Sequence, residues 1–330
     1  MLRNAAQRLC FLSSICSVVL PLPAQAQAPE KAIRLGIICG ARCEGAGYVA
    51  LAEALARLGW VEGRNLTVDK RGAGGEQERL PALAAELVAL HPDLVLAVGP
   101  QPTRAAKNAA GTIPIVMVGV ADPVVVGLVQ SLARPGGNIT GFTTLVPGGF
   151  GAKLLELLAQ LRPGTSRIAV LMNPKNDLAM KLFAVEMPGA AARLGVRLQV
   201  VEASSPSQLE GAIAAAVRER AEGLLVFGDP LFHTPPQRLP DIVARAGLPA
   251  IYLVREVAQA GGLMSYGPDF EDMFRRAASY ADRIVKGTLP GDLPIEQPAR
   301  FLFVINLKTA AALGLTIPTS LLLRADEVIR

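Results

Sequence analysis

The stretch IRLGIICGARCEGAGYVALAEALARLG, residues 33–59, is one strand–loop–helix unit. IRLGII is a short apolar run that reads as a buried strand. YVALAEALARLG is an amphipathic helix that closes on Gly59, a residue that accepts the left-handed conformation ending a helix. Between them lies a loop with Cys39 and Cys43 four residues apart. The unit then recurs along the chain. Apolar runs follow at 65–71, 94–99, 114–120, 138–144, 167–173, 197–203, 223–229, 248–254 and 262–267, with helical patterns such as RLPALAAELVALH and QLEGAIAAAVRERA between them. Apolar strands alternating with helices predict an α/β fold with parallel sheets covered on both faces.

Two lobes are expected. At 330 residues the chain exceeds one ordinary core. Five strands fall between 33 and 144 and five more between 167 and 267, separated by the Gly- and Pro-rich TTLVPGGFG, a crossover or hinge. A helix at 269–287, the PGDLPIEQP segment, a last strand FLFVIN and a terminal helix follow. The division expected is 27–143 with about 268–297 in an N-terminal lobe and 144–267 with about 298–330 in a C-terminal lobe. In wound sheets of this kind ligands meet the carboxyl ends of the strands, so a cleft between lobes is the place to look.

Residues 1–26 read as a cleaved export leader: Arg3 and Arg8 precede the apolar LCFLSSICSVVLPLP, and Ala24–Ala26 supply a small-residue cleavage site. The alternative, an uncleaved anchor, asks a short segment broken by Pro21 and Pro23 to do the work of roughly 20 apolar residues. Cleavage lowers the formal charge from +5 to +3 and leaves Cys39 and Cys43 as the only thiols. Basic residues are scattered with no dense run among aromatics, so nucleic acid is not an expected partner.

The strand ends carry VGPQPT (98–103), GVADP (119–123), LMNPKND (171–177) and FGDPLF (227–232). Proline just after a strand pre-sets the first helical turn. Asp122, Asn173 and Asp229 stand where a side chain either caps a helix or reaches into the cleft, and both readings stay open. Phosphate-loop and dinucleotide motifs are missing, and GAGG (72–75) reads as a loop. The two histidines, His91 and His233, fall in different lobes, so neither a catalytic triad nor a histidine metal site is evident. No enzyme activity, metal or cofactor is expected.

Several segments resemble ABC-transporter substrate-binding proteins of the group that includes tryptophan- and tyrosine-type binding proteins. They are GWVEGRN, IPIVMVGVADPVVVGLVQSLARPGGNITG, RIAVLMNP, FGDPLF, GGLMSYGPD and VINLKTAAALGLTIPTSLLLRADEVI, in order from about residue 33 to 330. The resemblance implies a type I periplasmic binding protein: two Rossmann-like lobes that close on a small polar solute, an amino acid or related metabolite, and offer it to an inner-membrane ABC permease with its ATPase. A sensing subunit that signals to a membrane receptor uses the same fold and is the alternative. By analogy such a protein is a periplasmic monomer. The resemblance places the pocket on the loops after the strands: Cys39, Gly40, Ala41, Gly99, Gln101, Thr103, Asp122, Asn173, Asp229, Arg255, Ser265 and Tyr266. An amino-acid carboxylate would meet backbone N–H groups near Gln101–Thr103, and its ammonium Asp122 or Asp229. Arg255 would pair with an acidic ligand group or with Glu256 or another neighbour.

The chain departs from these relatives at CGARCEG, at GPQP and at DKRGAGG, where relatives often carry aromatics. An aromatic ligand needs stacking surfaces, so their loss argues against an aromatic amino acid. Cys39 and Cys43 are read as a local disulfide, two free thiols or, least of all, a metal or redox pair; the spacing is not C-x-x-C.

Overall fold

The computed structural model describes residues 32–144, 150–233 and 235–330. The leader read at 1–26 and the centre of the crossover at 145–149 lie outside the described residues. Among the described residues no helix is long and apolar enough to cross a membrane.

The first sheet is built from β1 (Ile33–Cys39), β2 (Leu66–Gly72), β3 (Leu94–Val98), β4 (Ile115–Val120) and β5 (Ile139–Thr143), in the order β2-β1-β3-β4-β5. Every pairing is parallel. Its helices are α1 (Ala46–Arg57), α2 (Leu80–Val88) and α3 (Pro100–Ala109). Parallel strands with helices on both faces must be apolar on both faces, and the core divides accordingly. Leu35, Ile37, Leu94, Leu96, Val116 and Val118 pack under α1. Ile38, Val95, Ala97, Ile115 and Met117 pack under α2 and α3.

The second lobe continues with α4 (Phe150–Leu161), β6 (Arg167–Met172), α5 (Asp177–Leu194), β7 (Arg197–Glu202), α6 (Leu209–Arg218), β8 (Gly223–Val226), α7 (Arg238–Arg245), β9 (Ala250–Tyr252), α8 (Arg255–Gln259) and β10 (Met264–Pro268). From β10 the chain returns to the first sheet as α9 (Phe270–Val285), then re-enters the second as β11 (Phe301–Asn306). The end differs from the expected terminal helix. Gly314 (φ 64°) and Pro318 divide it into α10 (Leu307–Ala312) and α11 (Thr319–Leu322), and a short strand β12 (Glu327–Ile329) follows. The second sheet has the order β12-β11-β10-β9-β8-β6-β7, and only β10–β11 is antiparallel.

Helix α9 completes the first sheet. Its Met273, Phe274, Ala277, Ala278 and Ala281 join the core under α1. Trp60, just past α1, donates its indole N–H to Asp282 of α9 at 2.9 Å, and Lys286 bonds the other oxygen of that carboxylate at 2.9 Å. The following segment lies along β5: Glu296 donates its N–H to Gly141 O and accepts from Thr143 N, each at 2.9 Å.

Gly141 is obligatory at this crowded edge. Its φ of 132° disfavours any side chain, and an added Cβ would collide with the Met117 backbone on β4. Gly141→Ala is expected to cost at least about 3 kcal/mol, because strained backbone and steric overlap act together. Urea unfolding measures this; a loss below about 1 kcal/mol would show that β4 and β5 separate easily.

Candidate ligand-binding site

The carboxyl ends of both sheets face one cavity of about 570 Å³, walled by both lobes and the crossings between them. That volume suits a small organic ligand. Lys175 of the second lobe bonds Glu78 of the first at 2.8 Å. Pro230 of the second lobe lies against Gly40 of the first, 3.4 Å from where a Cβ would stand. The two lobes therefore touch, and Pro230 of that contact also lines the cavity.

After β1, Cys39 and Cys43 form a disulfide with the Cα atoms 5.8 Å apart. The loop it closes is also held from outside. Ala73 N donates to Cys39 O at 3.0 Å, Gly74 N to Ala41 O at 3.1 Å and Gly75 N to Gly40 O at 2.9 Å. The GAGG segment thus spends its N–H groups on this loop and has none of these three left for a phosphate. Ala41 and Arg42 face the cavity from the stiffened loop. The N-terminus of α1 follows, with Gly45 as N-cap (φ 112°) and Ala46 and Gly47 on the cavity wall. First-turn N–H groups have no intrahelical acceptor, so this end suits an anion.

The N-terminus of α3 is less suited. Pro100 and Pro102 lack an N–H, and Thr103 donates both its N–H and its hydroxyl to Gly99 O, at 3.2 and 2.7 Å. Only Gln101 keeps a free backbone donor in the 100–103 stretch, the one expected to meet a ligand carboxylate, so the start of α1 offers more free N–H groups than that of α3. Gly99 does reach the wall, and the Gln101 side-chain oxygen is buried without a partner.

The strand ends of the second lobe converge on Asp229, 2% exposed and on the cavity wall. One carboxylate oxygen accepts Leu231 N at 2.9 Å, and the other accepts Asn176 Nδ2 at 2.8 Å. Asn173 is the neighbouring strand-end amide, and its side-chain oxygen accepts Lys175 N at 3.0 Å. Burial pushes the Asp229 carboxyl above its usual range, and these hydrogen bonds only partly oppose it. No cation pairs with it among the described residues.

The remaining sequence candidates are engaged elsewhere. Asp122 caps its own turn, accepting Val124 N at 3.1 Å and Val125 N at 3.0 Å. Arg255 pairs with Glu271 of α9 at 2.5 Å, a partner of long range instead of the adjacent Glu256. Ser265 is buried in mid-strand with its hydroxyl unpartnered. Tyr266 stacks between Phe150 (5.8 Å) and Phe301 (5.6 Å), one layer behind the wall. Of the twelve candidates Ala41, Gly99 and Asp229 line the cavity.

The wall contains residues that strand-end reading misses. Tyr48 of α1, Phe150 of α4, Phe227 after β8, and Phe270 and Phe274 of α9 make it aromatic. The stacking surface judged lost after β2 is therefore supplied from other elements. Glu186 also lines it, three turns along α5, with Leu178 and Leu182 on the same face. Their spacing of four was readable as one helical stripe. His233 is on the wall too, with both ring nitrogens buried and unpartnered among the described residues.

A cavity between two wound sheets, closed by contact of both lobes, defines the type I solute-binding fold. The chain matches the ABC transporter substrate binding protein family over residues 45–329, and it belongs to that family. Its sequence is 27% identical over 263 residues to a tyrosine-binding protein of Clostridioides difficile, covering 80% of this chain and 75% of that one. Among solved structures it is similar to a conserved domain protein of Vibrio cholerae, with TM-score 0.83 and 27% identity over 90% of this chain and all of that one. It shares the fold of a Streptococcus pneumoniae ABC domain in complex with L-Trp, with TM-score 0.81 and 23% identity over 91% of this chain and 100% of that one.

Two outcomes follow from this geometry. Replacing both Cys39 and Cys43 by Ser is expected to cost about 2 kcal/mol, the chain-entropy value for so small a loop. Urea melts with and without reductant measure it, and reductant should not move the variant. Burial pushes the His233 imidazole down to about 4. The unfolded chain binds that proton near the ordinary value while the native state refuses it, so stability falls as pH drops from about 6.5 to 4. His233→Phe should remove about 2–3 kcal/mol of that fall. Identical pH profiles would show that the imidazole titrates freely.

Proposed function

We propose that this protein captures an amino acid for an ABC importer. Its two lobes, 27–143 with about 268–297 and 144–267 with about 298–330, close on the ligand. The closed form is presented to an inner-membrane permease and its ATPase. The leader at 1–26 directs export to the periplasm, where the protein works as a monomer without catalysis. The observation that carries this reading is the Asp229 carboxylate, buried on the cavity wall and held by neutral donors, with no cation paired to it among the described residues. A buried carboxylate calls for a counter-charge, and a ligand ammonium supplies one. The α1 N-terminus at Ala46 and Gly47 offers N–H groups to a carboxylate, and the aromatic wall packs against an apolar body. The relatives named for tyrosine and L-Trp support the same class. Because the wall comes from both lobes, a bound ligand favours the closed state by its contacts there.

Two measurements test this. Protein purified gently is denatured and the released small molecules identified by mass spectrometry; a stoichiometric amino acid is expected. A thermal-shift screen of amino acids should then raise the melting temperature by about 5 °C at a hundredfold excess over Kd. Asp229→Asn should weaken binding at least about thirtyfold while the protein stays folded. Unchanged affinity in that variant would remove Asp229 from the site and the reading with it.

A further inference from the structure

Among the described residues the cavity wall carries one cation, Arg42, against four carboxylates, Glu44, Glu186, Asp229 and Glu256. Arg42 faces Glu44 at 3.5 Å, and both are largely exposed, so that pair neutralises itself at the mouth. Glu186 is different. It is half-buried, its hydrogen bond is to Gly151 N at 3.1 Å, and no Lys or Arg lies within ion-pair distance among the described residues. Burial raises its carboxyl above the usual range, with only the Gly151 N–H opposing. His233 stays neutral at physiological pH and supplies no charge to the wall.

Apolar side chains share the wall with the two acids. A Cβ on Gly151 would stand 2.9 Å from the Phe227 ring and 3.4 Å from the Glu186 carboxylate, so that ring and that carboxylate flank one spot. Asp229 is two residues beyond Phe227. Leu178 and Leu182 continue the Glu186 stripe along the wall. An uncharged ligand filling this space would strip water from Glu186 and return nothing, which costs free energy. A ligand carrying a second cation would recover it, with its alkyl stem on Phe227 and Leu182.

We propose that the cavity takes an amino acid with a basic side chain, its α-ammonium on Asp229 and its second cation on Glu186, and that Glu186 determines this specificity. The assignment rests on the amino-acid reading of Asp229.

L-lysine and L-norleucine are the probes, because their side-chain carbon stems match and only lysine has the terminal ammonium. Calorimetry at pH 7.5 and low salt should show L-lysine binding at least tenfold tighter. Glu186→Gln should weaken L-lysine about tenfold and leave L-norleucine within twofold, with an unchanged melting curve. Asp229→Asn should weaken both. Norleucine binding as tightly as lysine overturns the proposal while leaving the amino-acid reading intact, and this comparison needs no variant. Equal weakening of both probes by Glu186→Gln makes the residue structural and also overturns it. If neither probe nor any other amino acid binds, both readings fall.

Discussion

Parallel pairing is the constraint on which the rest depends. A parallel strand cannot turn back on itself, so each must be followed by a crossover that returns along a face of the sheet. Every crossover from a parallel strand therefore leaves from the same edge. In this protein the departures after β1, β3, β4, β8 and β9 all place residues on one cavity, and the same rule holds in both sheets. The glycines and prolines at these ends are consequences of that geometry: Gly99 turns the chain and Pro100 starts α3 at once. A wall made of strand ends has carbonyls, N–H groups and short side chains. Most of its larger side chains come from helices, here α1, α4, α5 and α9, with Phe227 added from the end of β8.

The electrostatics follow from the same layout. Asp229 is held by Asn176 and by Leu231 N of its own turn, so its orientation is set by the protein itself. Neutral donors fix a carboxylate without satisfying its charge. The result is a stretch of cavity wall that is ordered but not neutral, and for a ligand bound there such order would lower the ordering cost. The disulfide loop works likewise on the facing lobe. Three backbone hydrogen bonds and one covalent link hold Ala41 and Arg42 in place.

The fold was legible because both its sheets are buried on two faces, and runs such as LVLAVG and RIAVLMN leave little choice but a covered strand. β12 was not, since EVI has neither the length nor the pattern of an independent strand and exists only by pairing with β11. Asp229 was legible because GDP after a buried strand puts a short acid at the carboxyl edge. Arg255, Ser265 and Tyr266 were misplaced for a different reason. Their surroundings are set by α9 and by antiparallel β11, whose positions depend on crossings between sheets that local pattern does not encode. The aromatic wall has the same origin: Tyr48 and Phe274 are over two hundred residues apart and touch only through tertiary packing, with ring centroids 4.8 Å apart.

Helix α9 has a bearing on how the chain is made. The apolar face formed by Leu35, Ile37, Leu51 and Leu55 is covered by residues 273–285, so most of the chain must exist before the first sheet can close. The second sheet in turn waits for β11 and β12 near the C-terminus. A growing chain would therefore hold two unfinished sheets until α9 appears, and the second stays unfinished until β11 and β12 follow. Such a sequence is better kept unfolded until complete, and threading an extended chain through a narrow pore before folding would meet that need.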